Sequence, residues 1–175
     1  MEQLVPELVR VWGERVDFPA VGFGPARPDG ELPAELPADV RRLLALSDGI
    51  HFGVWASVHA GASIPAYQGP EVLAHAARID NPGDYLNIGD VADDPLLFDL
   101  RDGGVLVARA EPRGLWYQGC ELVRIADGLD AFLSGWVAGP RFPELVRPWP
   151  EDEEDRDFSR DDWWRLLRAA GRVPA

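Results

Sequence analysis

The acidic residues near the middle of the chain form its densest group of side chains that could do chemistry. Asp90, Asp93 and Asp94 lie close together, with Asp84 and Asp99 on either side. Paired carboxylates can serve acid–base catalysis or bind a hard cation. Their spacing does not match an EF-hand, which needs oxygen ligands at alternate positions, a central glycine and a glutamate at its twelfth position. A solvated loop, a catalytic or cation site, and a surface that recognises a basic partner all stay open.

The histidines and the single cysteine do not have the spacing of a metal or nucleophile site. A zinc site needs three or four ligands, with at least one closely spaced pair. His51 and His59 are separated by seven residues with no cysteine between them, and His75 is further along the chain. We therefore predict solvated or structurally bonded histidines. Cys120 cannot form an internal disulfide and has no base or cation beside it in sequence, so we predict a small buried residue in a reducing compartment.

The chain also lacks the common enzyme motifs. It contains no Gly-x-Ser-x-Gly elbow, no phosphate-binding glycine loop and no paired-histidine zinc helix. We predict that the protein is not an enzyme and that it binds no cofactor and no metal. Seven tryptophans are many for this length. Trp12, Trp136 and Trp163 fall on apolar helix faces, whereas Trp55 and Trp116 are candidates for a contact surface, because aromatic residues are enriched at interfaces.

Composition limits the class of partner. The 175 residues include 30 Asp and Glu against 17 basic residues, all arginines, for a net charge of −13. Such a charge argues against binding nucleic acid or an anionic membrane, and it suits a basic protein partner. The N-terminus has no apolar signal segment, and no apolar run approaches the ~20 residues of a membrane span. We expect a cytoplasmic protein.

The order of the predicted elements indicates the fold class. Helices are predicted over 2–16, 36–49, 70–79, 127–137 and 159–171, and a loop over 89–95. Strands are predicted within 50–64 and at 85–88, 96–100 and 105–109, and a last strand covers either 114–120 or 122–125. Like elements follow one another, without strict βαβ alternation. This order predicts an α+β fold with an antiparallel-rich sheet flanked by helices.

The sequence predicts that the chain consists of two regions. Residues 1–150 form a single domain in which Pro140 and Pro143 end the regular structure. Residues 151–175 form an addition, which begins with five consecutive acids at 151–155 and is typical of a solvated linker. It ends in a helix with Ser159 as its N-cap. The apolar face of this helix carries Trp163, Leu166 and Leu167.

Three segments resemble a known family when they are taken in order. Leu36–Gly49 combines a Leu-Pro start, a helix with paired apolar residues and a polar-Gly end. Residues 86–107 supply a strand, an acidic loop and a hairpin, and Ile125–Leu133 supplies a closing helix with a Phe-Leu pair. Over roughly residues 30–140 this pattern resembles the SUKH superfamily, the Smi/Knr-like immunity and regulatory family. The chain departs from it at Asp93-Asp94-Pro95, where family members usually have glycines, and after residue 145, where no counterpart is found.

The resemblance implies a strongly bent sheet flanked by helices and a non-enzymatic binding role. Bacterial members are commonly immunity proteins that neutralise polymorphic toxins, often nucleases, and fungal relatives regulate cell-wall synthesis. We therefore expect a cytoplasmic immunity protein with a basic toxin domain as its partner. The alternative is a housekeeping regulatory or scaffold module without a toxin. The predicted contact residues are Asp90, Asp93, Asp94, Trp55 and Trp116.

Overall fold

The fold is built on one antiparallel sheet. The computed structural model describes residues 1–15, 17–68, 79, 81–110, 120–146 and 158–174. In these residues seven strands pair in chain order, each with its sequence neighbours. They are β1 (Gly22–Phe23), β2 (Ile50–His51), β3 (Ala56–Val58), β4 (Tyr85–Val91), β5 (Asp94–Asp99), β6 (Val105–Ala110) and β7 (Cys120–Ala126). The predicted α+β class with an antiparallel sheet is confirmed.

One helix precedes the first strand, one lies between β1 and β2, and the others follow the last strand. The helices are α1 (Leu4–Gly13), α2 (Ala38–Leu46), α3 (Leu129–Ala131), which continues as a π-helix over Phe132–Val137, α4 (Phe142–Val146) and α5 (Asp162–Ala169). Short 3₁₀ turns cover Asp29–Glu31, Ile64–Tyr67, Pro82–Asp84 and Phe158–Arg160. Among the described residues, no helix has the length and apolar character needed to cross a membrane.

The main core lies between the helices and one face of the sheet. Side chains alternate between the two faces of a strand, so every second residue points to the same side. The strand residues on the helix side of the sheet include Ile50, Val58, Leu96, Phe98 and Val107. The helices cover them with buried side chains that include Leu8, Leu44, Phe132, Leu145 and Trp163. The opposite face carries a smaller apolar cluster around Leu97 and Leu106.

Helix α5 is part of this main core. Trp163 is fully buried, and its indole N–H donates to the carbonyl of Val137, 2.8 Å away, at the end of the π-helix. Its ring meets Phe52 edge-on, with 4.9 Å between the ring centroids, and lies 6.4 Å from Phe142. The segment that we predicted as an addition therefore packs its apolar face on the same core as residues from β1 to α4.

Three predicted boundaries are wrong for local reasons. The N-cap of α5 is Asp161, whose carboxylate accepts from the backbone N–H of Trp164 at 2.9 Å, while Ser159 lies in the preceding 3₁₀ turn. The helix predicted over 127–137 begins at Leu129 with Gly128 as its N-cap, and the carboxylate of Asp127 pairs with Arg124 instead. Regular structure also continues past Pro140, since α4 tolerates a proline in its first turn.

The predicted loop over 89–95 is also wrong. Strand β4 continues to Val91, and β5 begins at Asp94, directly opposite it. Ala92 and Asp93 form the connecting turn with φ angles of 50° and 69°. Positive φ at both central residues is the geometry of the tight turn that joins twisted antiparallel strands. The predicted helix at 70–79, the acidic run at 151–155 and Trp116 lie outside the described residues, apart from Ile79.

One glycine allows β3 and β4 to approach closely. A Cβ added at Gly89 would lie 2.0 Å from the backbone carbonyl oxygen of Ser57. The pairing register of β4 with β5 also shifts between Asn87 and Gly89. A side chain at this position would therefore push the two strands apart where Ser57 faces Asp90.

We expect Gly89→Ala to lower the free energy of unfolding by about 3 kcal/mol, because backbone atoms cannot move aside as a side chain can. Gly83→Ala is the matched control, since nothing lies within 4 Å of a Cβ at that position. Urea unfolding followed by circular dichroism measures both variants. Equal midpoints for the two variants would contradict the proposed close approach.

Trp163→Phe should cost about 3 kcal/mol, because it leaves the Val137 carbonyl without its indole donor and creates a cavity. Trp164→Phe, which changes a half-buried ring on the same helix, should cost less than about 1 kcal/mol. Thermal unfolding by calorimetry compares the two. A larger loss at Trp164 than at Trp163 would show that α5 is held by another contact.

Candidate functional site

Polar side chains from three strands line up across the face of the sheet opposite the helices. His51 pairs with Ser57, and Ser57 pairs with Asp90. Residues directly opposite one another on antiparallel strands point to the same side. The Ser57 hydroxyl lies 3.0 Å from both carboxylate oxygens of Asp90. Strand register thus brings together residues that are far apart in sequence.

A second histidine joins this row from the next position on the same face. His59 follows Ser57 by two residues, and its ring stacks on Tyr67 with 3.9 Å between centroids and 10° between planes. Tyr67 is held in place through its neighbour Gln68. The amide of Gln68 donates to the backbone carbonyl of Asn87 at 2.8 Å and accepts from the Asn87 N–H at 3.0 Å. The 3₁₀ turn is therefore fixed to β4.

These residues surround a hollow of about 450 Å³, which we call the histidine hollow; its lining includes His51, Ser57, His59, Tyr67 and Gly22. Glycine at position 22 leaves the space beside the His51 ring open. Burial lowers the pKa of the His59 imidazole, the negative charge of Asp90 opposes this effect, and His51 adds to it. The hollow thus holds one histidine whose protonation is coupled to Asp90.

The bonding within the hollow favours polar recognition over nucleophilic chemistry. An activated serine donates to a base such as histidine, which a third group orients. In the described part of the chain Ser57 bonds to the Asp90 carboxylate. Those residues also contain no group of three or more histidine, cysteine or acidic side chains that could hold a metal ion. His75 lies outside them.

Two hairpin turns meet at one end of the sheet. The backbone N–H of Ala92 donates to the carbonyl of Trp55 at 2.6 Å, which joins the β4–β5 turn to the β2–β3 turn. Val54 is 72% exposed, Asp93 is exposed and Trp55 is half-buried. We call Val54, Trp55, Asp90 and Asp93 the tip patch. Of the predicted contact residues, Trp55, Asp90 and Asp93 therefore lie in one region.

The N-cap residue of α5 lies next to the β2–β3 turn of this patch. Gly53, in the β2–β3 turn, has a φ of 72°, and a Cβ there would lie 3.3 Å from a carboxylate oxygen of Asp161. Burial raises the pKa of the Asp161 carboxyl, although the N–H groups of Trp164 and Trp163 stabilise its charged form. The residue that caps α5 therefore also contacts the turn that carries Val54 and Trp55.

Asp94 lies on the other side of the sheet, contrary to the predicted shared loop. It is opposite Val91, on the helix side, and only 6% of it is exposed. Burial lowers the pKa of the Arg109 guanidinium, and the negative charge of Asp94 raises it. Arg109 also donates to the carbonyl of Leu145 at 3.3 Å. Asp94 is thus an internal counter-charge, and its carboxylate does not belong to the surface on which we placed it.

Comparisons with protein-family models, with curated proteins and with solved structures each found no match to this chain. The resemblance to the SUKH superfamily therefore stays a prediction that depends on its three segments. In the fold these segments form α2, the sheet region from β4 to β6, and the end of β7 with α3 and the first residues of the π-helix.

Asp90→Asn should move the pKa of His59 further below its ordinary value, because the substitution removes the negative charge that favours the imidazolium. A titration of the histidine ring protons by NMR measures the midpoint. Asp93→Asn is the control, since Asp93 is not among the charges that act on His59. An unchanged or higher midpoint in Asp90→Asn would contradict the coupling.

Proposed function

We propose that this protein is a non-enzymatic, cytoplasmic immunity protein that binds and neutralises a basic toxin domain, such as a nuclease. The observation that carries the proposal is the tip patch, in which the exposed carboxylate of Asp93 and the half-buried carboxylate of Asp90 lie with the exposed side chain of Val54 on two joined hairpins. The segments that resemble the SUKH superfamily and the net charge of −13 support the same class of partner.

The tip patch combines the parts of a protein-binding surface. Val54 and Trp55 offer apolar contact area, and interfaces are enriched in aromatic residues at their centre with polar groups at their rim. Asp93 extends from the turn, and Asp90 lies beside it on β4. The 2.6 Å bond between Ala92 and Trp55 keeps the two turns together. Little conformational entropy would therefore be lost when a partner binds.

The negative charge of this chain indicates that the proposed partner is basic. A nuclease domain carries cations that hold phosphates, and an acidic partner can use them as its own contacts. Long-range attraction between such surfaces raises the association rate and makes it sensitive to salt. The acids at the patch would orient the approaching toxin, while the rest of the negative surface would attract it without orientation.

Replacing Asp90 and Asp93 together with Asn should slow association with the toxin about tenfold at low salt and flatten its salt dependence, as loss of steering charges does. Asn at position 90 keeps an oxygen acceptor for Ser57, so folding should be unaffected. Stopped-flow fluorescence at two salt concentrations measures the rate, with the toxin domain encoded beside this gene as ligand.

The matched control is Glu31→Gln with Glu35→Gln, which removes the same charge from exposed positions outside the patch. Its association should slow much less. Equal slowing in both variants would show that only net charge matters and that the tip patch is not the contact site. Each toxin candidate encoded near this gene can also be expressed in cells with and without this protein. If every candidate kills the cells equally well in both cases, the immunity function is overturned and the housekeeping module is favoured.

A further inference from the structure

A second concave surface lies toward the C-terminal end of α5, whereas Asp161, before the start of the helix, contacts the β2–β3 turn. The volume of this surface is about 560 Å³, and it lies between the end of α5 and the segment that follows α1. Buried Phe18 and Val173 contribute apolar surface. Arg15, Arg165 and Arg168 contribute three positive charges, against one negative charge from Asp17. We call this region the arginine groove. Ligand pockets of about 300–1,000 Å³ are typical of small-molecule sites.

Two of the three arginines that line the groove lack a carboxylate partner. Most of the described arginines lie within 4.0 Å of a carboxylate; they include Arg10, Arg27, Arg41, Arg42, Arg101, Arg124, Arg141, Arg165 and Arg172. Within the described residues, Arg15 and Arg168 form no such ion pair, and both line the groove. In a chain with a net charge of −13, two unpaired cations on one small surface call for an explanation.

The end of α5 does not need Arg168 to satisfy its carbonyls. The backbone N–H of Arg172 donates to the carbonyl of Leu167 at 2.9 Å, and that of Gly171 donates to the carbonyl of Arg168 at 3.0 Å. Gly171 has a φ of 68°, the left-handed conformation that closes helices in this way. The Arg168 side chain is exposed and lines the groove.

Arg165 lines the groove, and hydrogen bonds hold it in place. Its guanidinium donates to the carbonyl of Asp17 and to the carboxylate of Asp162, both at 3.0 Å. The same group lies 5.4 Å from the centre of the Phe18 ring. Arg165 thus holds the segment after α1 against α5 and contributes a cation whose position is set before any ligand arrives.

We propose that the arginine groove binds a small organic anion, in which an apolar or aromatic body carries a phosphate or a carboxylate. Arg15 and Arg168 contact the anionic group, and Phe18 and Val173 contact the body. Guanidinium groups match the geometry of both oxyanions through paired N–H donors. This binding is independent of the proposed toxin contact, because the groove and the tip patch share no residue.

Calorimetric titration of the full chain tests the proposal with four probes. 1-Naphthyl phosphate and 1-naphthoate carry both the ring and the anionic group. 1-Naphthol lacks the anion, and inorganic phosphate lacks the ring. We expect at least one of the first two to bind at least tenfold more tightly than either of the last two. The tighter of the two organic anions identifies the preferred anionic group.

Variants locate the binding. Arg168→Gln and Arg15→Gln should each weaken the tighter probe about tenfold, in line with the loss of one charge-assisted hydrogen bond. Arg10→Gln is the matched control, because Arg10 is exposed, pairs with Glu14 and lies outside the groove. Absence of heat with both organic anions would overturn the proposal, as would equal weakening in Arg10→Gln. Full binding in an Arg15→Gln/Arg168→Gln double variant would overturn it as well.

Discussion

The burial of Trp163 is the interaction on which the rest of the structure depends. Its ring contacts Phe52, before β3, and its indole N–H satisfies the carbonyl of Val137 at the end of the π-helix. An indole buried without an acceptor would be costly, so this bond sets both the depth and the rotation of α5. Once α5 is set, Asp161 at its start lies behind the β2–β3 turn, and Arg168 at its end faces the groove. One anchoring residue therefore positions parts of both proposed sites.

The fold buries some carboxylates of this acidic chain and leaves others exposed. Asp94 is buried on the helix side of the sheet near Arg109, and Asp99 is buried where Arg101 donates to both of its oxygens, at 2.9 and 2.7 Å, and holds the pKa of its carboxyl below the usual range. The Asp99 carboxylate therefore contributes to stability at neutral pH and loses that contribution as the pH falls through its lowered pKa. Asp93 is instead left exposed at a turn. Charge near the middle of the chain thus divides into an internal part, which stabilises the fold, and a surface part, which can meet a partner.

Sequence patterns predicted the elements that carry local signals and missed those that depend on pairing. The start of α2 after Pro37, the hairpin that β5 and β6 form and the buried face of α5 have signals within a few residues, and each is present. The turn at Ala92 and Asp93 has no Asn-Gly or Asp-Gly pair, and Pro95 argues against a strand, so the predicted loop was the natural interpretation. The histidine hollow could not be predicted, because it needs the register of β2, β3 and β4, which are separated in sequence and set by packing.

The turn that carries Asp93 has a backbone conformation that fixes the position of this exposed carboxylate. Two residues other than glycine occupy the left-handed region there, which costs roughly 1–2 kcal/mol for each residue relative to ordinary backbone. Contacts on both sides oppose this cost: the close approach at Gly89 aligns β4 with β3, and the Ala92–Trp55 bond closes the end of the pair. The direction of the Asp93 side chain is therefore imposed by paired backbone and does not depend on contacts of the carboxylate itself. A carboxylate held in this way stays fully available to a partner's cation, because no internal ion pair has to break before it binds.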